Sequence, residues 1–318
     1  MNRYLPYLAG VGVALTWGLS FMFTRGALEN LSPFHLLGLR FAAALAAMAV
    51  LRALKIIRIR VTIADYISLL PLAIFQPILY FAAETVGILL TSASYAGMII
   101  AAIPIFVAIL SAIILREHPN HLQVVFIIAS VAGVIFIIYM DNQSIAGVNP
   151  LGTLALLGAV TAAAFFNIAS RKASTNHSPL EITWVMMIVG AISFNLIALA
   201  QHQIAGTMGS YLTPLADTWI TVLYLGVISS VGAFFLYNFL LSRVTATQGS
   251  VFANMVTVVA ITAGVLFRGE TVFWYHLAGT AAILTGVWGT NRFAPRPHKY
   301  HEPARAAEDN SGDPFNRV

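Results

Sequence analysis

The 318-residue chain contains no cysteine, and Asp, Glu, Lys and Arg together make up only 9% of it. The first absence excludes a disulfide framework, a thiolate nucleophile and a cysteine metal site. The second excludes an ordinary soluble domain, whose surface needs about 25% charged residues. Hydrophobic residues fill 59% of the positions, so most of the outer surface must face lipid. Catalytic signatures are scarce too. No GxSxG, HExxH or P-loop pattern occurs, which disfavours a hydrolase, a zinc protease or a nucleotide-driven pump. Seven of the eight histidines fall in loops, at span edges or in the tail, and His276 stands at a span start. An intramembrane enzyme would need a deeper constellation. No metal or cofactor is expected. A channel would be expected to carry a ring of charges or a repeated filter, and none is visible.

What the chain has in abundance is long apolar runs. Runs long enough to cross a bilayer cover Tyr4–Thr24, Phe34–Ala53, Ala64–Leu89, Ser94–Leu115 and Leu122–Met140. A second set covers Leu151–Ser170, Ile182–Gln201, Trp219–Leu241, Thr247–Phe267 and Tyr275–Asn291. The first run is of spanning length and ends without a small-residue cleavage site, so it reads as a retained helix and not a signal peptide. Basic residues set the orientation, because they are kept on the cytoplasmic side. With the N-terminus inside, the inner loops and tail collect Arg3, Arg52, Lys55, Arg58, Arg60, Arg116, Arg171, Lys172, Arg243, Arg292, Arg296, Lys299, Arg305 and Arg317. Outside stand only Arg25 and Arg268. Both termini are therefore predicted to be cytoplasmic, in a multi-pass protein of the plasma (inner) membrane. The basic cluster Arg52–Arg60 then reads as a topology determinant touching anionic lipid, and no nucleic-acid partner is expected. Residues 293–318 are polar and mixed in charge, as expected of a disordered cytoplasmic tail.

The chain also repeats itself. A shift of 146 places Arg25 on Arg171, Ser32 on Ser178 and Pro33 on Pro179. A shift of 153 places Tyr66 on Trp219, Phe81 on Phe234, Ser94 on Thr247, Glu117 on Glu270 and Gly133 on Gly286. The seven-residue difference is a longer loop around Ala205–Thr218. Two halves result, 1–141 and 150–292. Each holds five spans, an odd number, so the second enters the membrane upside down. The predicted fold is all-α: ten transmembrane helices as two inverted five-helix repeats, with a substrate site between halves near the midplane.

The sequence resembles the ten-helix branch of the drug/metabolite transporter superfamily, built from two EamA-type repeats. The likeness rests on Leu15-Thr16-Trp17-Gly18-Leu19-Ser20-Phe21, on Leu39-Arg40-Phe41, on Leu90-Thr91-Ser92-Ala93, and on Pro104 and Glu117. Val244-Thr245-Ala246 and Gly269-Glu270 echo them in the second half. The resemblance implies a cavity lined by spans one to four and six to nine. It also implies export of small metabolites, with amino acids a plausible class.

Polar groups inside a bilayer are costly and mark candidate sites. Arg40 and Glu84 lie within spans at similar depth and read as a structural or coupling pair. Trp17, Phe21, Tyr80, Glu84, Tyr95, Phe165, Trp184 and Asn254 are the candidate substrate-binding residues. Their aromatic weight favours an aromatic or other hydrophobic amino acid. Phe235 joins the aromatic set; Gln76, Asn167, Asn195 and Asn238 serve equally well as substrate ligands or as helix-to-helix glue. Pro71, Pro77 and Pro104 are candidate hinges, since each removes a backbone hydrogen bond. Besides the substrate, membrane lipid is the expected partner, and a monomer is compatible with this scheme. The rival reading is a lipid-handling membrane protein or a receptor.

Overall fold

A computed structural model describes residues 4–28, 30–91, 99–141, 149–211, 216–268 and 273–294. Regular structure among them is helical throughout. Helices α1 (Leu5–Ala27) and α2 (Pro33–Ala53) come first. A third rod joins α3 (Ile63–Ala73) through a π-helical turn, Ile74–Leu79, to α4 (Tyr80–Leu90). Then follow α5 (Ile103–Leu110), widened over Ser111–Leu115, and α6 (His121–Asp141). The second half opens with α7 (Pro150–Ala173) and α8 (Pro179–Ala205). Its third rod runs from α9 (Ala216–Leu223) through a π-helical stretch, Tyr224–Gly232, into α10 (Ala233–Arg243). Finally α11 (Ala246–Val251) leads by a tight turn into α12 (Met255–Arg268), and α13 (Trp274–Arg292) ends the described chain. Six rods are long and apolar enough to span a membrane; Leu5–Ser20 and Ile103–Leu115 are shorter apolar segments.

Local chemistry explains the helix starts. Ser32 precedes Pro33 at the start of α2, and Ser178 precedes Pro179 at the start of α8. Proline suits the first helical position, where its missing N–H has no partner to lose. Ser178 also accepts from the Glu181 N–H while Glu181 accepts from Ser178, a closed capping box. Thr62 with Asp65 and Thr245 with Gln248 make the same box for α3 and α11. Pro33 and Pro179 thus open their helices alike, but only Ser178 adds a side-chain cap.

The helices pair in a regular way. α6 lies along α13, and α2 along α8. α4 packs on α7 as α10 packs on α1; α5 meets α7 as α12 meets α1. α6 and α13 approach closely: a Cβ on Gly133 would stand 2.8 Å from the Gly279 carbonyl, and one on Gly286 2.6 Å from the Phe126 carbonyl. Small residues allow such backbone contact where no hydrophobic force separates helix from lipid. At the other long pairing, Phe41 of α2 stacks on Phe194 of α8 at 5.5 Å, and Asn195 donates to the Gly38 carbonyl. A turn at Met208–Ser210 folds back on these ends. His35 donates through Nε2 to the Tyr211 carbonyl at 2.9 Å and contacts His202 at 3.1 Å. Burial raises the Tyr211 pKa, keeping its hydroxyl a donor to Asn195.

The three prolines differ in setting. Pro71 sits inside α3. Pro77 follows Gln76, whose backbone leaves the helical region (φ −147°, ψ 120°), so the third rod breaks there. Pro104 follows the helical residues 99–100 and a turn at 101–102. It occupies the first turn of α5, which begins at Ile103; a proline there removes no intrahelical bond.

Candidate substrate site

Arg40 lies midway along α2 and is only 6% exposed. A guanidinium at such depth needs partners for its donors. Two come from the π-helical stretch before α10: Nε donates to Ser230 Oγ at 2.8 Å and Nη2 to Ser229 Oγ at 3.2 Å. The widened turn makes this possible. Ser230 Oγ donates on to the Leu225 carbonyl, five residues back, as a π-helical pitch allows. The Ser229 carbonyl accepts from Trp17 Nε1 of α1 at 3.2 Å. Gly226 clears the approach, since a Cβ there would meet the Arg40 carbonyl at 2.7 Å. Aromatic faces supply the rest: the guanidinium carbon stands 4.8 Å from the Phe81 ring centre and 5.8 Å from that of Phe41.

Across from Arg40, Glu84 of α4 accepts a hydrogen bond from Tyr80, one turn earlier, at 2.8 Å. Arg40 and Glu84 feel each other electrostatically, yet they form no direct ion pair. Each spends its bonds elsewhere. Around them stand the rings of Trp17, Phe81, Phe234 and Tyr237. Trp17 lies 5.5 Å from Phe234 and 5.2 Å from Tyr237, mostly edge to face. Tyr237 donates to Asn167 of α7 at 2.6 Å and stacks on Phe166. Trp17, Tyr80 and Glu84 remain partly accessible despite their place inside the bundle.

The structure thus gathers Trp17, Arg40, Tyr80 and Glu84 into one group. Phe165 stacks on Phe75 at 5.0 Å, beside the break in the third rod. Trp184 is elsewhere: it donates to the Tyr66 hydroxyl at 2.9 Å and lies under the Arg52 guanidinium. Arg52 is twelve residues beyond Arg40, about 18 Å along α2. Asn254 donates to Ser130 of α6 and is buried as a helix-to-helix tie. Tyr95 and the Phe21 side chain lie outside the described residues. Phe235 is 37% exposed on the outer surface, whereas its neighbour Phe234 is fully buried in the group. Ser229, Ser230, Phe81, Phe234 and Tyr237 were not legible as site residues. A serine pair in an apolar run carries no signal of its own. The match of Phe81 to Phe234 under the 153-residue shift was the one available hint.

A second acid–base pair closes one end of the bundle. Arg171, near the end of α7, contacts Glu117 Oε1 through Nε at 3.3 Å. Its Nη1 donates to the carbonyls of Leu241 and Ser242 at the end of α10. Glu117 Oε2 accepts from the Ala246 N–H, at the start of α11, at 3.1 Å. Cation and anion thus satisfy opposite helix ends, in the sense the helix dipoles favour.

The sequence profile of the EamA-like transporter family matches twice, over residues 5–139 and 150–292. The chain belongs to the EamA-like transporter family. Among its relatives is the uncharacterized transporter YcxC of Bacillus subtilis, 38% identical over 287 residues, covering 90% of this chain and 92% of that one. Relatives named "probable amino-acid metabolite efflux pump" come from Salmonella typhimurium, at 25% identity over 91% of this chain and 95% of that one, and from Escherichia coli, at 23% over 87% and 91%. A solved crystal structure superposes with a TM-score of 0.75 over 92% of this chain and 98% of that one, at 18% identity, and so shares the fold. As an EamA-like transporter the chain is a multi-pass membrane protein for a small-molecule substrate, not one named for an enzyme activity. In this EamA-like transporter the buried polar group described above draws on both matched regions: Trp17, Arg40, Tyr80 and Glu84 from the first, Ser229, Ser230 and Tyr237 from the second.

Proposed function

We propose that this transporter exports amino acids, aromatic and other hydrophobic ones above all, across the inner membrane by alternating access between two inverted five-helix halves. The observation that carries the reading is a buried, partly accessible polar centre walled by aromatic rings and built from both halves. Binding there suits an apolar solute with a small polar head.

A two-fold relation of the halves is supported by the pairing of helices, and its inversion by the odd number of spans in each. If α1 to α6 correspond in order to α7, α8, α9, α10, α12 and α13, the contacts of α4 with α7 and of α5 with α7 become those of α10 and α12 with α1. The α6–α13 and α2–α8 pairs map onto themselves. The π-helical turns agree too: a shift of 153 carries 74–79 onto 227–232, inside the Tyr224–Gly232 stretch. Each turn lies beside the site, so the Gln76–Pro77 break and the Ser229–Ser230 turn are the places where rods bend as access alternates. Pro71 adds a further weak point. The efflux names of two distant relatives support export. The distribution of basic residues supports cytoplasmic termini. Glu84 is the carboxylate available for proton coupling.

The test is uptake into liposomes holding the purified protein, with labelled amino acids, nucleosides and sugar phosphates offered under imposed gradients. Saturable transport of a few hydrophobic amino acids, reduced by Trp17→Ala, is expected. Movement of labelled phospholipid without transport of any solute would replace this reading with a lipid-handling one.

A further inference from the structure

We infer that Arg40 and Glu84 form a split site for a zwitterion: the guanidinium takes the α-carboxylate of an amino acid and the Glu84 carboxylate takes its α-ammonium. The inference rests on the amino-acid reading above and says how such a substrate is recognised.

The uncommitted atoms carry it. Arg40 has five N–H donors, and its described partners are the two serine hydroxyls. Nη1 has no hydrogen bond among the described residues. Glu84 accepts from Tyr80 through Oε1, while Oε2 has no hydrogen bond among the described residues and the side chain is partly accessible. One cation and one anion, both inside the bundle, therefore each present a free atom to the same aromatic-walled region. Arg40 is held in place by Ser229 and Ser230 and by the Phe81 face, and Glu84 by Tyr80, so neither is free to collapse onto the other.

A closed ion pair would best repay the cost of burying two charges. Separate, preorganised charges favour instead a ligand that carries both signs. A zwitterion adds no net charge to the bilayer interior, and its two head groups answer Nη1 and Oε2. An amine leaves Nη1 unmatched, and a carboxylic acid leaves Oε2 unmatched. Discrimination against a ligand lacking one partner is large when it leaves a buried polar group unpaired. Trp17, Phe234 and Tyr237 then face the side chain, where their edges and faces accept a ring.

The experiment is equilibrium binding of three ligands to the full-length protein in nanodiscs: L-phenylalanine, phenethylamine (no carboxylate) and 3-phenylpropionate (no ammonium). L-phenylalanine is expected to bind at least about tenfold more tightly than either of the others. In Glu84→Gln, which keeps the shape and the Tyr80 hydrogen bond, the advantage of L-phenylalanine over 3-phenylpropionate should vanish. Its advantage over phenethylamine should persist. Arg40→Gln should do the reverse, with Arg40→Lys as a gentler companion. Equal affinity of the wild type for all three ligands, or an equal loss for all three in Glu84→Gln, would overturn the split site while leaving amino-acid transport standing. Absence of binding by all three, together with no amino-acid uptake in liposomes, would overturn the broader reading and the split site with it.

Discussion

Two acid–base pairs in this molecule use the same residue types in opposite ways. Glu117 and Arg171 touch, and their further bonds go to neighbouring helix ends: Ala246 on one side, Leu241 and Ser242 on the other. Arg40 and Glu84 are held apart by their own partners, and each keeps an atom in reserve. The first pair is a clasp that ties α5, α7, α10 and α11. The second is a receptive centre. Whether a charge in this molecule is structural or functional is thus read from contact with its counter-charge more than from its depth.

Several variants sharpen that contrast. The largest effect should come from Arg40→Gln, which removes two charge-assisted hydrogen bonds of about 1.5–3 kcal/mol each. Transport should fall by about a hundredfold or more in initial-rate assays, with the protein still eluting as one species in detergent. Next, Glu117→Ala should destabilise the fold by about 2 kcal/mol, below the 3–5 kcal/mol of a fully buried pair because both side chains are partly exposed. Thermal unfolding in detergent should show it as a lowered midpoint, and a double-mutant cycle with Arg171→Ala should reveal coupling. Substrate affinity should be unchanged.

A pH profile separates the pairs further. The charged and titratable neighbours of Glu84 are Arg40 and Tyr80. A protonated Glu84 cannot hold an ammonium group, so wild-type transport should fall as pH drops through its titration. Glu84→Gln should flatten that profile; unchanged pH dependence would remove Glu84 as the proton site. Smaller still is Tyr237→Phe, which costs the hydrogen bond to Asn167, about 1 kcal/mol, or some fivefold in affinity. Trp184→Phe should be the mildest. It loses one bond to the Tyr66 hydroxyl far from Arg40 and should leave transport within about twofold.

The helical layout was legible in the sequence because bilayer thickness fixes the length of apolar runs. The run Phe34–Ala53 became α2 (Pro33–Ala53), and Tyr275–Asn291 became α13 (Trp274–Arg292). Arg40, Glu84, Tyr80 and Trp17 were legible as well, because polar or amphipathic groups stand out in an apolar run. Helical phase was harder. Each residue turns a helix by about 100°, so choosing Phe235 over Phe234 picked the outer surface instead of the centre. The π-helical stretch adds to this: it resets the phase just where Ser229 and Ser230 must point at Arg40. Trp184 and Asn254 looked deep by position along their spans, but depth alone does not say which neighbour a side chain meets. The Glu117–Arg171 clasp joins residues 54 apart at helix ends, and nothing local announces it.

The absence of cysteine allows a direct test of the centre. Trp17→Cys, at a partly accessible position beside Ser229, would be the protein's single thiol, and its rate of labelling by a small water-soluble thiol reagent can be followed with and without L-phenylalanine. Labelling of Cys at this position, slowed by L-phenylalanine in a saturable way and unaffected by a sugar phosphate, is the predicted result. A thiol that never reacts, or one that reacts at the same rate at every amino-acid concentration, would contradict the placement of the substrate beside Arg40.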